Sequence, residues 1–259
     1  RNFWTNEFAS WSQQFNSEAI MPILNKVGQL LSIDMVKNIF ISSENKLDLR
    51  GIMDTGKILL IKLPKGRLQE EIMGFLWAML VTKMYQTAMG RSGTEKNTRT
   101  PFFLYIDEFQ NFVTDSIESI LSEARKYRLG LVLAHQYLGQ LHKSDSLTKS
   151  DLNLKDAIFG NVGSIMSYKI GPEDAEMMAK QFAPTYSDQD FVNMDKFKAA
   201  IRLSVDGQPT PGFSLNVPFP WLDKWDPVIW NALKELSRLK YGREREFVEK
   251  EIIYRIGAV

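Results

Sequence analysis

The sequence predicts an α/β fold. It should be a mostly parallel sheet covered by helices on both faces, with a helical segment before it and a β-hairpin plus helices after it. Three observations predict this. Short apolar runs of strand length, at 57–63, 102–106 and 129–134, end at turn or polar residues. Between them, apolar residues recur at helical spacing. The 259 residues are 44% hydrophobic and 24% charged, a composition that can fill a sizeable core.

The first segment, 1–48, reads as helical. Trp4, Phe8, Trp11 and Phe15 form an aromatic stripe, and a second helix covers 18–31 with Ile23, Val27, Leu30 and Leu31 on one side. Residues 57–63 then read as a strand buried on both faces and closed by Pro64, Lys65 and Gly66. A long apolar helix spans 68–89. Lys83 and Gln86 interrupt its most apolar stretch, so it reads as a core helix and not a membrane span. Residues 90–100 have the polar composition of a mobile surface loop. The strand at 102–106 ends in Asp107-Glu108, and the next helix buries Ile117, Ile120, Leu121 and Ala124.

The strand at 129–134 ends in His135-Gln136, and 162–168 makes a third strand. Gly171-Pro172-Glu173-Asp174 opens a helix that buries Ala175, Met178, Ala179 and Phe182, with proline and acids where a helix start favours them. Segments 199–205 and 212–217 flank Asp206-Gly207 and predict an antiparallel hairpin. Residues 218–225 are a linker, and 226–256 are helical with a break near Gly242. The expected organisation is therefore 1–48, 49–217 and 218–259.

Composition narrows the chemistry. With 32 basic and 31 acidic residues the net charge is +1, which excludes a strongly basic polyanion binder while leaving room for local basic sites. Cysteine is absent, which excludes disulfides, cysteine–zinc sites and thiol nucleophiles and is compatible with a reducing compartment. Only His135 and His142 are present, so a histidine-rich metal site is excluded too. No targeting segment is visible, and the chain opens at Arg1 without an initiator methionine.

In open α/β sheets the ligand-binding residues lie at the carboxyl ends of the strands. The run 102–108 has the layout of a Walker B strand: five apolar residues, then two carboxylates. Asp107 can hold Mg²⁺ directly or through water, and Glu108 can orient or deprotonate a water attacking a γ-phosphate. Helix capping, or an ion pair with Arg125, is the structural alternative. If the next strand is adjacent and in similar register, Gln136 ends beside Glu108, where an amide can donate to a phosphate and accept from a water. Arg125 and Arg128, between the two strands, are candidates to neutralise phosphoryl charge, including that of a nucleotide on a neighbouring subunit. A basic helix end also complements the helix dipole without any ligand. Candidate contacts for DNA phosphates are Arg91, Lys96 and Arg99, and Lys143, Lys149 and Lys155.

Residues 51–57 match G-x-x-x-x-G-K, but Ile58 follows the lysine where a hydroxyl residue should stand. A phosphate loop follows a strand and opens a helix, whereas this segment is expected to open a strand, so we reject it. The sequence contains no other match.

The segments 105–112, 122–128 and 133–137, continued by 159–163 and 171–176, resemble the carboxyl-terminal part of type IV secretion and conjugation coupling ATPases. These are the TraG/TraD-like group in the HerA–FtsK division of P-loop NTPases. The resemblance implies a RecA-like motor assembled as a homo-oligomeric ring, usually a hexamer. It would use ATP and Mg²⁺ to move DNA or feed substrates to a secretion channel, with relaxosome-type and channel proteins as partners. It implies a cytoplasmic site of action, at the inner face of the membrane through parts outside this chain. It also implies Asp107 as the metal carboxylate, Glu108 as the catalytic one, Gln136 as sensor, Arg125 or Arg128 as the arginine, and Asn161 near the end of the site.

Two departures stand out. The phosphate loop, which the resemblance places amino-terminal to everything here, is missing, so the expectation is a fragment inactive alone. Lys169 also stands where many relatives carry arginine. A catalytically inactive ATPase-fold scaffold is the alternative. A metal-dependent nuclease would need further acids, and only Asp156, Glu173 and Asp174 lie near in sequence.

Overall fold

The computed structural model describes residues 2, 5–6, 8–40, 45–63, 70–112, 116–144, 151–218 and 226–256. The chain divides into two compact units, Leu49–Lys224 and Arg1–Asp48 with Trp225–Val259.

The second of these units opens on helix α1 (Gln13–Leu31), whose N-cap Ser12 accepts from the Phe15 N–H at 3.2 Å. Phe8 and Trp11 precede the cap, yet the aromatic stripe continues across it: ring centroids lie 5.4 Å apart for Phe8–Trp11 and 4.9 Å for Trp11–Phe15. Trp4 lies outside the described residues. Helix α2 (Asp34–Phe40) follows and buries Val36.

The larger unit begins with α3 (Leu49–Asp54), whose Leu49, Ile52 and Met53 are buried. The G-x-x-x-x-G-K match therefore closes a helix, with Gly56 at φ 65°, and does not open a strand. The expected strand at 57–63 is not present. These residues have no ladder partner, and Ile58 is 89% exposed. Pro64, Lys65 and Gly66 lie outside the described residues. Helix α4 (Glu70–Met89) then buries Ile72, Met73, Leu76, Val81 and Met84.

Strand β1 (Phe102–Ile106) pairs in parallel with β2 (Leu129–Leu133), from Phe102 opposite Leu129 to Ile106 opposite Leu133. Helix α5 (Ser116–Glu123) makes the crossover, with Ile120 buried. Among the described residues the parallel sheet has two strands and is not covered on both faces, for Tyr105 is 70% exposed and Phe103 is exposed beside it.

An antiparallel pair, β3 (His142–Ser144) and β4 (Asp151–Asn153), leads into α6 (Leu154–Asn161). The expected third parallel strand is the short β5 (Ile165–Ser167), which joins a different sheet. After α7 (Pro172–Phe182) and α8 (Asp188–Val192), β6 (Lys198–Arg202) runs antiparallel to β5. A small hairpin, β7 (Ser204–Val205) and β8 (Gln208–Pro209), turns at Asp206 and Gly207, both at positive φ as a tight hairpin turn requires. Strand β9 (Phe213–Asn216) returns along the other edge of β6, which is the predicted antiparallel hairpin. Ala175, Met178, Phe182, Phe191, Ala199 and Ala200 are all buried, and the Phe182 and Phe191 ring centroids lie 5.3 Å apart.

The loop at 90–100 is a tied structure, not a mobile one. Arg91 is fully buried and donates to the carbonyls of Thr100 and, at 3.4 Å, Tyr127. Its Nε lies 3.1 Å from Asp54. Arg99 donates to the carbonyls of Ser92, Thr94 and Lys126, and Arg128 to that of Arg99. The terminal nitrogens of Arg91 and the guanidinium of Arg99 thus donate to backbone acceptors. This replaces the reading of them as phosphate contacts, because composition alone does not show where the acceptors are. Burial lowers the Arg91 pKa, Asp54 opposes that, and Arg50, Arg99 and Arg128 add to it.

The smaller unit ends with α9 (Pro227–Tyr241), capped by Asp226, and α10 (Arg245–Ile256). The predicted break falls at Gly242, where a Cβ would sit 2.5 Å from the Arg238 carbonyl oxygen. Helices α2 and α10 pack together, with Val36, Val248 and Ile252 buried. No described helix is long and apolar enough to cross a membrane.

Replacing Arg91 by alanine removes the donors to two part-buried carbonyls, a loss of about 1–3 kcal/mol each when they are left unsatisfied. Urea unfolding should show Arg91→Ala losing about 2–4 kcal/mol, with little recovery in Arg91→Lys, because an ammonium cannot span the same acceptors.

Candidate functional site

The candidate site is the rim where β1 and β2 end together. The parallel ladder continues past both strands: the Ala134 N–H donates to Ile106 O at 2.9 Å, and the Phe109 N–H donates to Ala134 O at 3.0 Å. Phe109 is buried and anchors the turn. Between Ile106 and Phe109 the chain must fit Asp107 and Glu108, and it does so with Glu108 in the left-handed region at φ 52°. That conformation is uncommon for a residue with a side chain and marks a local constraint.

It leaves the Glu108 carboxylate between two amides. Gln136 Nε2 donates to Oε1 at 2.6 Å, and Gln110 Nε2 donates to Oε2 at 2.6 Å. Gln136 is exposed, whereas Gln110 is buried with its Oε1 lacking a partner. Sequence reading placed Glu108 and Gln136 together on one rim but gave Gln110 no role. An amide two residues after an acidic pair, entering a turn anchored by Phe109, was the available signal.

Asp107 is exposed, and its Oδ1 accepts from the Glu108 N–H at 3.0 Å. One strand-tip carboxylate with a solvent-facing side chain fits the way Mg²⁺ is held, by one or two carboxylates with waters and phosphate oxygens completing the shell. Among the described residues no cluster of three or more acidic or histidine side chains forms a self-sufficient cage.

The Gln136 turn is held from the other side. Leu138 is buried, and its N–H donates to Asp174 Oδ2 at 2.9 Å. Asp174 lies in the first turn of α7, so the carboxylate expected to favour the helix start also pins the loop that carries Gln136.

The other predicted residues lie elsewhere. A one-turn helix, Ala124–Tyr127, carries Arg125 and ends at Arg128, whose φ is 54°. The Arg128 carbonyl accepts from the Phe102 N–H at 3.0 Å, which puts Arg128 at the amino end of β1. A five-residue strand, roughly 15 Å long, separates it from Glu108. Within one chain the structure does not bring Arg125 or Arg128 to the carboxylates. Asn161 ends α6 and donates to Ala157 O at 2.8 Å.

No protein-family model matches the sequence, and no curated protein matches it. Solved structures do match. The plasmid coupling protein TrwB in complex with the non-hydrolysable GTP analogue GDPNP aligns at a TM-score of 0.54 with 16% identity, covering 81% of this chain and 51% of that one. Its complex with the ATP analogue ADPNP gives 0.53 and 16%, covering 80% and 50%.

This chain shares its fold with TrwB. A third TrwB structure, with ADP and Mg²⁺, aligns at 0.50 and 15% identity over 70% of this chain and 45% of that one. At these identities the likeness is one of fold, and the chain spans about half the length of the coupling protein it matches.

His135, between Ala134 and Gln136, has its pKa lowered chiefly by burial, against smaller raising effects from the Tyr137 backbone and Asp174. Its folded pKa therefore lies below the unfolded value of about 6.5. Between the two values the unfolded chain binds more protons, so stability is full above about pH 6.5 and falls as the pH drops toward the folded pKa. Thermal unfolding at about pH 7.5 and 5.5 should show this loss, and His135→Gln should reduce it. An unchanged pH dependence would assign the slope to other groups.

Proposed function

We propose that this chain forms the hydrolysis half of a nucleotide-driven motor of the conjugative coupling kind, acting on DNA or another translocated substrate. The observation that carries the reading is Glu108 beside Gln136 on the shared carboxyl rim of a parallel strand pair, in a fold shared with a protein crystallised with nucleotide analogues.

In this reading Glu108 orients and deprotonates the attacking water. Gln110 holds one carboxylate oxygen. Gln136, exposed and able to rotate, trades its bond to Glu108 for a phosphate oxygen and reports whether the phosphate is present. Asp107 would hold Mg²⁺, which when bound neutralises phosphate charge. The phosphate cradle is supplied from outside these residues, since nothing in the sequence provides it.

Arg125 and Arg128, on the far end of the strands, act on a nucleotide bound by a neighbouring copy in a ring, hexameric by analogy with related motors. The domain boundaries proposed with this function are 1–48, 49–217 and 218–259. The parent assembly works in the cytoplasm at the inner face of the membrane, with channel and relaxosome-type proteins as partners.

One observation favours a second reading, an ATPase-fold scaffold without turnover. Both Glu108 oxygens are already bonded within the chain.

Variant kinetics separate the readings. In a protein that joins these residues to a phosphate loop, Glu108→Gln should lower kcat by at least about a hundredfold with ATP binding retained. Gln136→Ala should lower it by about a hundredfold. Wild-type turnover in Glu108→Gln excludes Glu108 as the base. This chain alone should show no Mg²⁺-dependent hydrolysis, and measurable hydrolysis would mean that a phosphate cradle exists within it.

A further inference from the structure

Helix α9 is fifteen residues long and has no buried residue. Its start is well built: the Asp226 carboxylate accepts from the N–H groups of Val228 and Ile229, and Pro227 takes the first helical position. Even so, a helix of that length is marginal in water without tertiary packing. Its apolar side chains are open to solvent, with Val228 74% and Leu239 72% exposed.

The spacing of those side chains is specific. Ile229, Ala232, Leu236 and Leu239 follow the 3-4-3 step of a coiled-coil seam, two heptads with apolar residues at both seam positions. The flanking positions then decide what can lie against it. In a parallel pair, the residue just before the first seam position of each heptad, Val228 or Glu235, meets the residue five further along on the partner helix. Val228 meets Leu233, and Glu235 meets Lys240: apolar opposes apolar, and acid opposes base. In an antiparallel pair Val228 would face Glu235 and Leu233 would face Lys240, so both contacts are mismatched. Glu235 does pair with Arg238 on its own helix at 2.9 Å, but through Oε2, and both side chains are exposed. Such a pair is weak and does not compete strongly with a second partner.

We propose that α9 is a homotypic interface, on which the α9 helix of a second copy of this chain docks in parallel through the seam Ile229–Ala232–Leu236–Leu239. The self-complementary flanks, and not the apolar exposure alone, identify the occupant. The inference does not rest on the motor reading, because it uses no residue of the Glu108 rim. Two heptads make a short interface, so association is concentration-dependent.

The chain contains no cysteine, which makes the test clean. Under mild oxidation, Leu239→Cys should give a disulfide-linked dimer, as parallel seam positions meet their own copies. Arg238→Cys, one position around the helix, should stay monomeric on the same gel. In sedimentation equilibrium, Glu235→Lys and Lys240→Glu should each weaken self-association by about tenfold. The double variant should recover the wild-type constant, and circular dichroism should show an unchanged helix content in all. A chain that sediments as a monomer, a Leu239→Cys variant that does not cross-link, or a double charge swap that fails to recover association overturns the proposal. The last two outcomes would indicate another surface of the same chain, or another protein, as the occupant.

Discussion

Parallel strands in register have no choice about where they end: both carboxyl termini come out on one side. With Ile106 opposite Leu133, the residues after each strand must share a rim, and two further backbone bonds, Ala134 to Ile106 and Phe109 to Ala134, extend the pairing into the turns. Glu108 and Gln136 meet because of this and not because of any attraction between them. The amino ends of the same strands are held by a different device, a buried guanidinium among backbone carbonyls. The strand pair is thus fixed at both ends, and the only backbone departure at the rim is the left-handed Glu108.

Much of this was legible from residue order. The runs at 102–106 and 129–133 were readable because they are short, apolar and closed by polar residues, and the pairing of Glu108 with Gln136 followed from them. The Asp206-Gly207 turn, Pro172 at a helix start and Gly242 at a helix break were readable because each residue type has few conformations open to it. The failures share a cause. Apolar patterning reports that a segment can be buried but not which strand lies beside it. So 57–63 was expected as a buried strand and has Ile58 and Leu60 exposed, and 162–168 was expected as a further strand of the parallel sheet whereas Ile165–Ser167 pairs antiparallel with β6. Arg91 and Arg99 were read as surface charge because a sequence does not show unsatisfied carbonyls. Gln110 was passed over because an amide in a turn carries no periodic signal.

The site also differs from the sequence picture in its charge balance. The carboxylate expected to act on water is clasped by two neutral amides, one buried and one exposed. The candidate arginines stand at the far end of the strands. Among the described residues, then, the rim brings together two carboxylates and two amides.

Gly242 sets the break between α9 and α10. A side chain there would run into the Arg238 carbonyl, so only hydrogen at that Cα lets α9 stop and the backbone turn before α10 begins. Were residues 227–256 one unbroken helix, they would make a rod about 45 Å long. The missing methyl group therefore turns what could be a stalk into two shorter helices, the second of which packs against α2.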